Sequence, residues 1–269
     1  MRKILFLILF SSILLNLSAC KSNNIPLDHK LEEFSFKLAK YASYNPQYLD
    51  QYYQAYQESN SYIYALNKVN YPFFLNPKTI LPAFIKNNCL LVNRHFYLEK
   101  DYRPTTLVKV QNVNYVKRKN ETMLIDELTL KKYQEMEIFL KQKKVDLLIF
   151  SSFRSYEKQA SLWNNPNANT QFLAQPGCSE HQTGLAIDIA TKDSGLTIHF
   201  ENTFAFQVLK ENAHHFGFIL RYPKDKETLT GYPYEPWHFR YVGEEIATII
   251  YEHNLTLEEY FYNYLVLDF

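Results

Sequence analysis

The chain has 269 residues, of which 46% are hydrophobic and 21% charged, with a formal net charge of +1. That balance belongs to a globular protein rather than a disordered one, and near-neutrality excludes the basic footprint that nucleic-acid binding needs. Average usage would place roughly 19 glycines in a chain this long. It has only 6, all between Gly177 and Gly243, which excludes a Gly-rich phosphate loop from the first 176 residues.

The first segment in chain order is a targeting signal. Arg2 and Lys3 supply a positive start, Ile4 to Leu15 is apolar but short for a membrane span, and Leu17-Ser18-Ala19-Cys20 follows. This resembles a bacterial lipobox, with residues 1–19 removed as a lipoprotein signal peptide and Cys20 lipidated. A lipid on Cys20 anchors the mature protein to the outer face of the cell membrane. Loss of Arg2 and Lys3, with no acid lost, takes the formal charge from +1 to −1. Cys89 and Cys178 remain, and export leaves both a disulfide and two separate thiols open.

Residues 20–30 read as a polar tether, and residues 31–104 as a helical and irregular N-terminal extension. Over 31–66 apolar and aromatic positions recur at helical spacing: Phe34, Leu38 and Tyr41, then Tyr48, Tyr52 and Tyr56. Pro46 divides this stretch into two helices. The Tyr stripe reads as the face of an amphipathic helix docking on the catalytic core, with a sugar-stacking platform as the alternative. Pro72, Pro77, Pro82 and Pro104 mark irregular structure around one short strand, Leu90-Leu91-Val92.

The pattern becomes denser over residues 105–269, which form the expected catalytic domain. Leu128–Leu140 has helical spacing, Val145–Phe150 reads as a buried strand, and Ser155 caps a helix ending near Trp163. Gly184–Ala190 reads as a strand and Thr203–Phe216 as a helix stopped by Gly217. Phe218–Arg221 and Trp237–Val242 read as strands, Glu244–Glu252 as a helix, and Thr256-Leu257-Glu258-Glu259 as a capping box opening a last helix. Helices and strands alternate irregularly, which predicts an α+β fold with a small mixed or antiparallel sheet flanked by helices.

Two segments carry the candidate chemistry. In Ser179-Glu180-His181-Gln182-Thr183-Gly184-Leu185-Ala186-Ile187-Asp188, a carboxylate sits inside an apolar strand, where it is costly unless paired or bound to a cation. Gly184 lets the preceding turn fold tightly enough for His181 to reach the same point. Glu235-Pro236-Trp237-His238 adds a second imidazole. Two imidazoles and a carboxylate leave a fourth position open, which is the donor pattern of a catalytic zinc site. Glu235 stands three residues before His238, placed to act as general base. On spacing alone a second reading stays open, in which Asp188 is salt-bridged to Arg240 or Arg221.

Ser179-x-His181-x6-Asp188 followed by Glu235-Pro-Trp-His238 resembles the VanY/LdcB family of zinc D-alanyl-D-alanine carboxypeptidases. Ser152-Phe153-Arg154-Ser155-Tyr156-Glu157-Lys158-Gln159 and Asn212 to Pro223 are similar to further segments of that family. So are Thr230-Gly231-Tyr232, Trp237 to Gly243, and, upstream, Leu91-Val92-Asn93 and Asp101 to Pro104. The resemblance implies a DD-carboxypeptidase/hedgehog-like fold and hydrolysis of the C-terminal D-alanine from peptidoglycan stem peptides. It implies that His181, Asp188 and His238 bind Zn2+, that Glu235 is general base and acid, and that Arg154 polarises the scissile carbonyl. Gln159 and Ser179 then contact the substrate peptide. The expected partners are that peptide and, through Cys20, the membrane; the protein is expected to be a monomer. Two rival readings are a cell-wall-binding lipoprotein of this fold that has lost catalysis, and a hydrolase using Cys178 as nucleophile.

Overall fold

A computed structural model of the chain describes residues 27–39, 44–60, 62–70, 81–82, 84–86, 89–170 and 172–264. The signal segment with Cys20, the tether up to Pro26, Tyr41, Pro72 and Pro77 lie outside the described residues.

The front of the chain holds helices α1 (Leu27–Leu38), α2 (Leu49–Ser59) and α3 (Tyr62–Asn70). Asn45 caps a 3-10 turn at Pro46–Tyr48 that opens α2, as the fixed proline φ favours. The break between α2 and α3 was not expected. It falls at Asn60, which adopts φ +53, a left-handed conformation that asparagine tolerates. Of the tyrosine stripe, Tyr52 and Tyr56 turn inward among these helices while Tyr48 stays exposed; the Phe34 ring lies 5.1, 5.0 and 5.4 Å from those of Tyr53, Tyr56 and Tyr62. Tyr52 is fully buried beside Leu38 and Leu66.

Short strand pairs follow. β1 (Leu81–Pro82) pairs in parallel with β4 (Phe96–Tyr97), while β2 (Phe84–Lys86) and β3 (Cys89–Leu91) form an antiparallel pair. β5 (Leu107–Lys109) pairs with β6 (Leu124–Asp126). The stretch from Cys89 onward is tied into the part of the molecule that follows. Leu98 N–H donates to the Gly177 carbonyl, and the Gln182 amide donates to the carbonyls of Glu99 and Tyr102.

The central sheet is built from β7 (Leu148–Ser151), β8 (Ala186–Ala190), β9 (Phe218–Leu220) and β10 (His238–Tyr241), in the order β7-β8-β10-β9 with every neighbour antiparallel. Helices α4 (Glu127–Gln142), α5 (Tyr156–Trp163), α6 (Phe204–Asn212), α7 (Glu227–Thr230), α8 (Glu244–Glu252) and α9 (Leu257–Tyr264) surround it. The α+β expectation holds. Strand alternation sorts the two faces: Ile187, Ile189 and Phe239 enter the core with Tyr133, Met136 and Leu140 of α4 and Phe206 and Leu209 of α6. The intervening Asp188 and His238 then point to the opposite face. A second cluster joins Leu91 and Phe96 to Ile219, Ile250, Leu257 and Phe261.

Some boundaries differ from the sequence reading. The helix expected to run to Phe216 ends at Asn212, whose side-chain amide donates to the Val208 carbonyl at 2.8 Å; a 3-10 turn, Ala213–Phe216, completes it. Gly217 then takes φ +83 as anticipated. The capping box at α9 is reciprocal: Glu259 N–H donates to Thr256 Oγ1 at 3.1 Å, and Thr256 N–H to Glu259 Oε2 at 2.7 Å.

Candidate metal and catalytic centre

Three elements bring the candidate ligands together. His181 sits in a 3-10 turn, Glu180–Thr183, closed by Gly184 at φ +72. Asp188 is the middle residue of β8, and His238, the first residue of β10, is its direct cross-strand partner. All three are buried, and their donor atoms lie within 4.8 Å of one another.

Each imidazole presents a defined nitrogen. His181 Nδ1 is 2.7 Å from the Ser152 carbonyl, to which it donates, leaving Nε2 aimed at Asp188 Oδ2, 3.2 Å away. His238 faces the cluster with its other nitrogen: Nδ1 is 3.1 Å from Asp188 Oδ1. The rings stand edge to face with centroids 5.0 Å apart. Burial alone would raise the Asp188 pKa, but His181 and His238 outweigh it and hold the carboxyl well below the usual carboxylate range. For His238 burial acts downward, and the facing carboxylates of Asp188 and Glu180 outweigh it and push its pKa up to about 9.

Two nitrogens and a carboxylate, buried and convergent, are the donor set that a zinc ion takes, so the residues present fit the metal. The salt-bridge alternative for Asp188 does not match the geometry. Arg221 and Arg240 turn to Glu180, at 2.7 and 2.8 Å.

Glu235 precedes the turn into β10, where its carbonyl accepts from His238 N–H and its own N–H donates to the Tyr222 carbonyl. Its Oε2 is 3.7 Å from His238 Nδ1, beside the donor cluster without joining it. Burial, aided by the Asp188 charge and opposed by His238 and Arg154, pushes its pKa up to about 7. That value suits a group that takes and returns a proton near neutral pH.

Arg154 comes from the loop after β7, anchored where its N–H donates to the His181 carbonyl at 3.0 Å. Its guanidinium donates to Gln159 Oε1 at 2.9 Å and Ser151 Oγ at 3.1 Å, and one nitrogen lies 4.0 Å from Asp188 Oδ2. Gln159 lies behind Arg154. It is 1% exposed, its amide donates to the Ala174 carbonyl at 2.6 Å, and it does not line the cleft. Through its oxygen it braces the Arg154 guanidinium. Ser179, by contrast, lines a cleft of about 410 Å3 together with Arg154, Glu235 and the three donors. Trp237 forms part of the same wall while packing against the main core.

The sequence reading missed other groups of this site. Asn165, Asn167 and Asn169 also line the cleft, and the Tyr222 ring lies 4.8 Å from that of His238. A run of alternating asparagines after a helix is the signal that was available. Glu180 was also missed; only its position beside His181 marked it.

The cysteines do not provide a rival centre. Cys89 and Cys178 are both buried free thiols. Cys178 packs with Ala174, Tyr222 and Tyr232, and burial pushes its thiol pKa up to about 11, the opposite of what a nucleophilic cysteine needs.

Comparison with known proteins gives consistent matches. A family model described as VanY, D-alanyl-D-alanine carboxypeptidase, matches residues 122–244. The bifunctional D-Ala-D-Ala dipeptidase and D-Ala-D-Ala carboxypeptidase VanXYC of Enterococcus gallinarum is 35% identical over 184 residues, covering 65% of this chain and 93% of its own. The solved structure of the LdcB LD-carboxypeptidase superposes with a TM-score of 0.60 at 32% identity, covering 68% of this chain and 97% of that one. The vancomycin-resistance D,D-pentapeptidase VanY, crystallised with Zn(II), gives 0.50 at 33% identity, covering 63% and 96%.

Proposed function

The chain belongs to the VanY family of D-alanyl-D-alanine carboxypeptidases, and we propose that it is a zinc-dependent enzyme that removes the C-terminal D-alanine from peptidoglycan stem peptides. The observation that carries this reading is the convergence of His181 Nε2, Asp188 and His238 Nδ1, with the Glu235 carboxyl 3.7 Å from that last nitrogen.

His181, Asp188 and His238 would hold the ion. When bound, zinc supplies Lewis acidity, polarising a carbonyl and lowering the pKa of water. The remaining work falls to the chain's own groups. Ser179, on the cleft wall, meets the substrate peptide. Glu235 Oε2 takes the proton of the attacking water and returns it to the amine of the departing D-alanine. The Arg154 guanidinium, fixed by Gln159 and Ser151, donates to the carbonyl oxygen as negative charge develops on it.

On this reading the enzyme works as a monomer on the outer face of the membrane, held by a lipid on Cys20 and facing the wall that contains its substrate. The test is incubation with purified muropeptides ending in a tetrapeptide or a pentapeptide. Release of D-alanine from either, abolished by a chelator and restored by Zn2+, supports the proposal and identifies the substrate. Hydrolysis that survives chelation but not thiol alkylation contradicts it. Normal zinc content with no release from either peptide makes the protein a wall-binding relative of the same fold.

A further inference from the structure

Four charged side chains form a buried cluster behind His238. Glu180, Arg221, Arg240 and Glu258 are each 0–1% exposed. Glu180 Oε1 accepts from Arg221 Nε at 2.7 Å and from Arg240 Nη1 at 2.8 Å. Arg221 continues to Glu258, donating from Nη1 to Oε2 at 2.7 Å and from Nη2 to Oε1. Asn93 Nδ2 donates to Glu258 Oε1 at 3.0 Å, and Arg240 Nη2 to the Leu90 carbonyl at 2.8 Å. The charges cancel in pairs. Burying them still costs desolvation energy that well-packed apolar side chains would not, so stability alone is a weak reason for the cluster.

The cluster ends at the imidazole. Glu180 Oε2 lies 3.6 Å from His238 Nε2, and both atoms are buried with no hydrogen-bond partner. That separation is longer than a formed hydrogen bond, but the two unpaired atoms face each other and have complementary chemistry. With Nδ1 given to a metal ion, the proton of the neutral ring has to sit on Nε2, on the Glu180 side. Strand register explains the placement: His238 and Arg240 lie two apart on β10 and share a face, opposite Asp188 and Ala186 of β8.

We propose that Glu180 is a positioning residue for His238: Oε2 accepts the Nε2 proton, which leaves Nδ1 with its lone pair toward the metal, and Arg221, Arg240 and Glu258 hold the carboxylate in that pose. The proposal rests on His238 being a metal ligand, as read above. It also gives the flanking segments a role in the site. Leu90, Asn93 and Glu258 lie outside the stretch matched by the family, residues 122–244, yet they complete the chain of bonds that ends at a ligand. Glutamine at 180 is the informative change. Its amide carries one acceptor oxygen, which cannot serve two arginines and an imidazole at the same time.

The experiment uses the full-length chain. Zinc affinity of the parent, Glu180→Gln and Glu258→Gln is measured by competition with a chromophoric chelator, beside thermal unfolding of each metal-free protein. Ring-nitrogen NMR of the zinc-loaded parent reports which His238 nitrogen carries the proton. We expect Glu180→Gln to bind zinc about 10–100-fold more weakly, with Glu258→Gln shifted the same way by less, and Nε2 protonated in the parent. Unchanged zinc affinity in Glu180→Gln, with only the unfolding temperature lowered, overturns the proposal. So does a parent in which the proton sits on Nδ1, a result that stands even if Glu180→Gln does not fold. A parent that binds no zinc at all would instead overturn the metal reading on which the proposal depends.

Discussion

Replacing Gly184 with alanine tests how the first ligand turn is made. Gly184 holds φ +72, where an L-residue is strained by about 1–2 kcal/mol. A Cβ there would also meet Leu107 Cδ2 at 2.9 Å and the Asp126 backbone nitrogen at 3.2 Å. The leucine methyl can rotate away. The Asp126 nitrogen is less free, because it donates to the Gly184 carbonyl at 3.1 Å while its own side chain caps α4 through Thr129 N–H. Strain and displacement together predict a loss of about 2–3 kcal/mol in the stability of the metal-free protein, read by urea unfolding. Gly195→Ala provides the reference: its φ is +55, but nothing lies within 4 Å of the added carbon, so it should show the backbone part alone. Gly184 N–H donates to the His181 carbonyl, so a shifted turn also moves a ligand, and zinc affinity should fall in Gly184→Ala but not in Gly195→Ala. Equal losses in the two variants, with zinc affinity intact in both, would refute the close-approach argument.

Other outcomes follow from the same geometry. Arg154→Lys keeps a positive charge but loses the planar fork that bonds Gln159 and Ser151 while facing the cleft. Its kcat/KM should fall about 10²–10³-fold with zinc content unchanged; a near-normal rate would remove Arg154 from the mechanism. Zinc binding should also be coupled to a proton. The metal-free His238 has its pKa raised to about 9, and a ligand must be neutral, so below that pH each ion bound displaces a proton from this ring. Affinity measured across the neutral range should therefore drop about tenfold per pH unit of acidification, and a flat profile would contradict it. In the metal-free fold the same raised pKa acts the other way. The imidazolium's ion pairs are fully present below the unfolded value near 6.5, and their contribution to stability is lost as the pH rises through about 9.

How much of the molecule is legible in the sequence depends on range. The capping box at Thr256–Glu259 is legible because both partners lie within one turn. Asp188 is legible because an apolar strand makes a lone carboxylate anomalous, and alternation on β8 and β10 does place it opposite His238. Glu180 is illegible for the opposite reason: Arg221 and Arg240 lie 41 and 60 residues away, and no local pattern announces them. Gln159 is where the motif puts it, but its bonds to Arg154 and to the Ala174 carbonyl, 15 residues away, are not visible in the local pattern. Apart from β3, which the apolar run Leu90-Leu91-Val92 announces, the strands between Leu81 and Asp126 are two or three residues each, too short for periodicity to reveal. Asn60, which ends α2, takes a left-handed backbone as Asn112, Asn120 and Asn254 also do, and nothing in the residue type alone says which asparagine will.

The central claim is that Glu235 moves the proton while His181, Asp188 and His238 hold the metal. It is tested most directly by measuring zinc content and D-alanine release side by side in the parent and in Glu235→Ala. The account predicts equal zinc in both and a release rate about 10²–10⁴-fold lower in the variant. A Glu235→Ala protein that carries its zinc and still releases D-alanine at the parent's rate would contradict it.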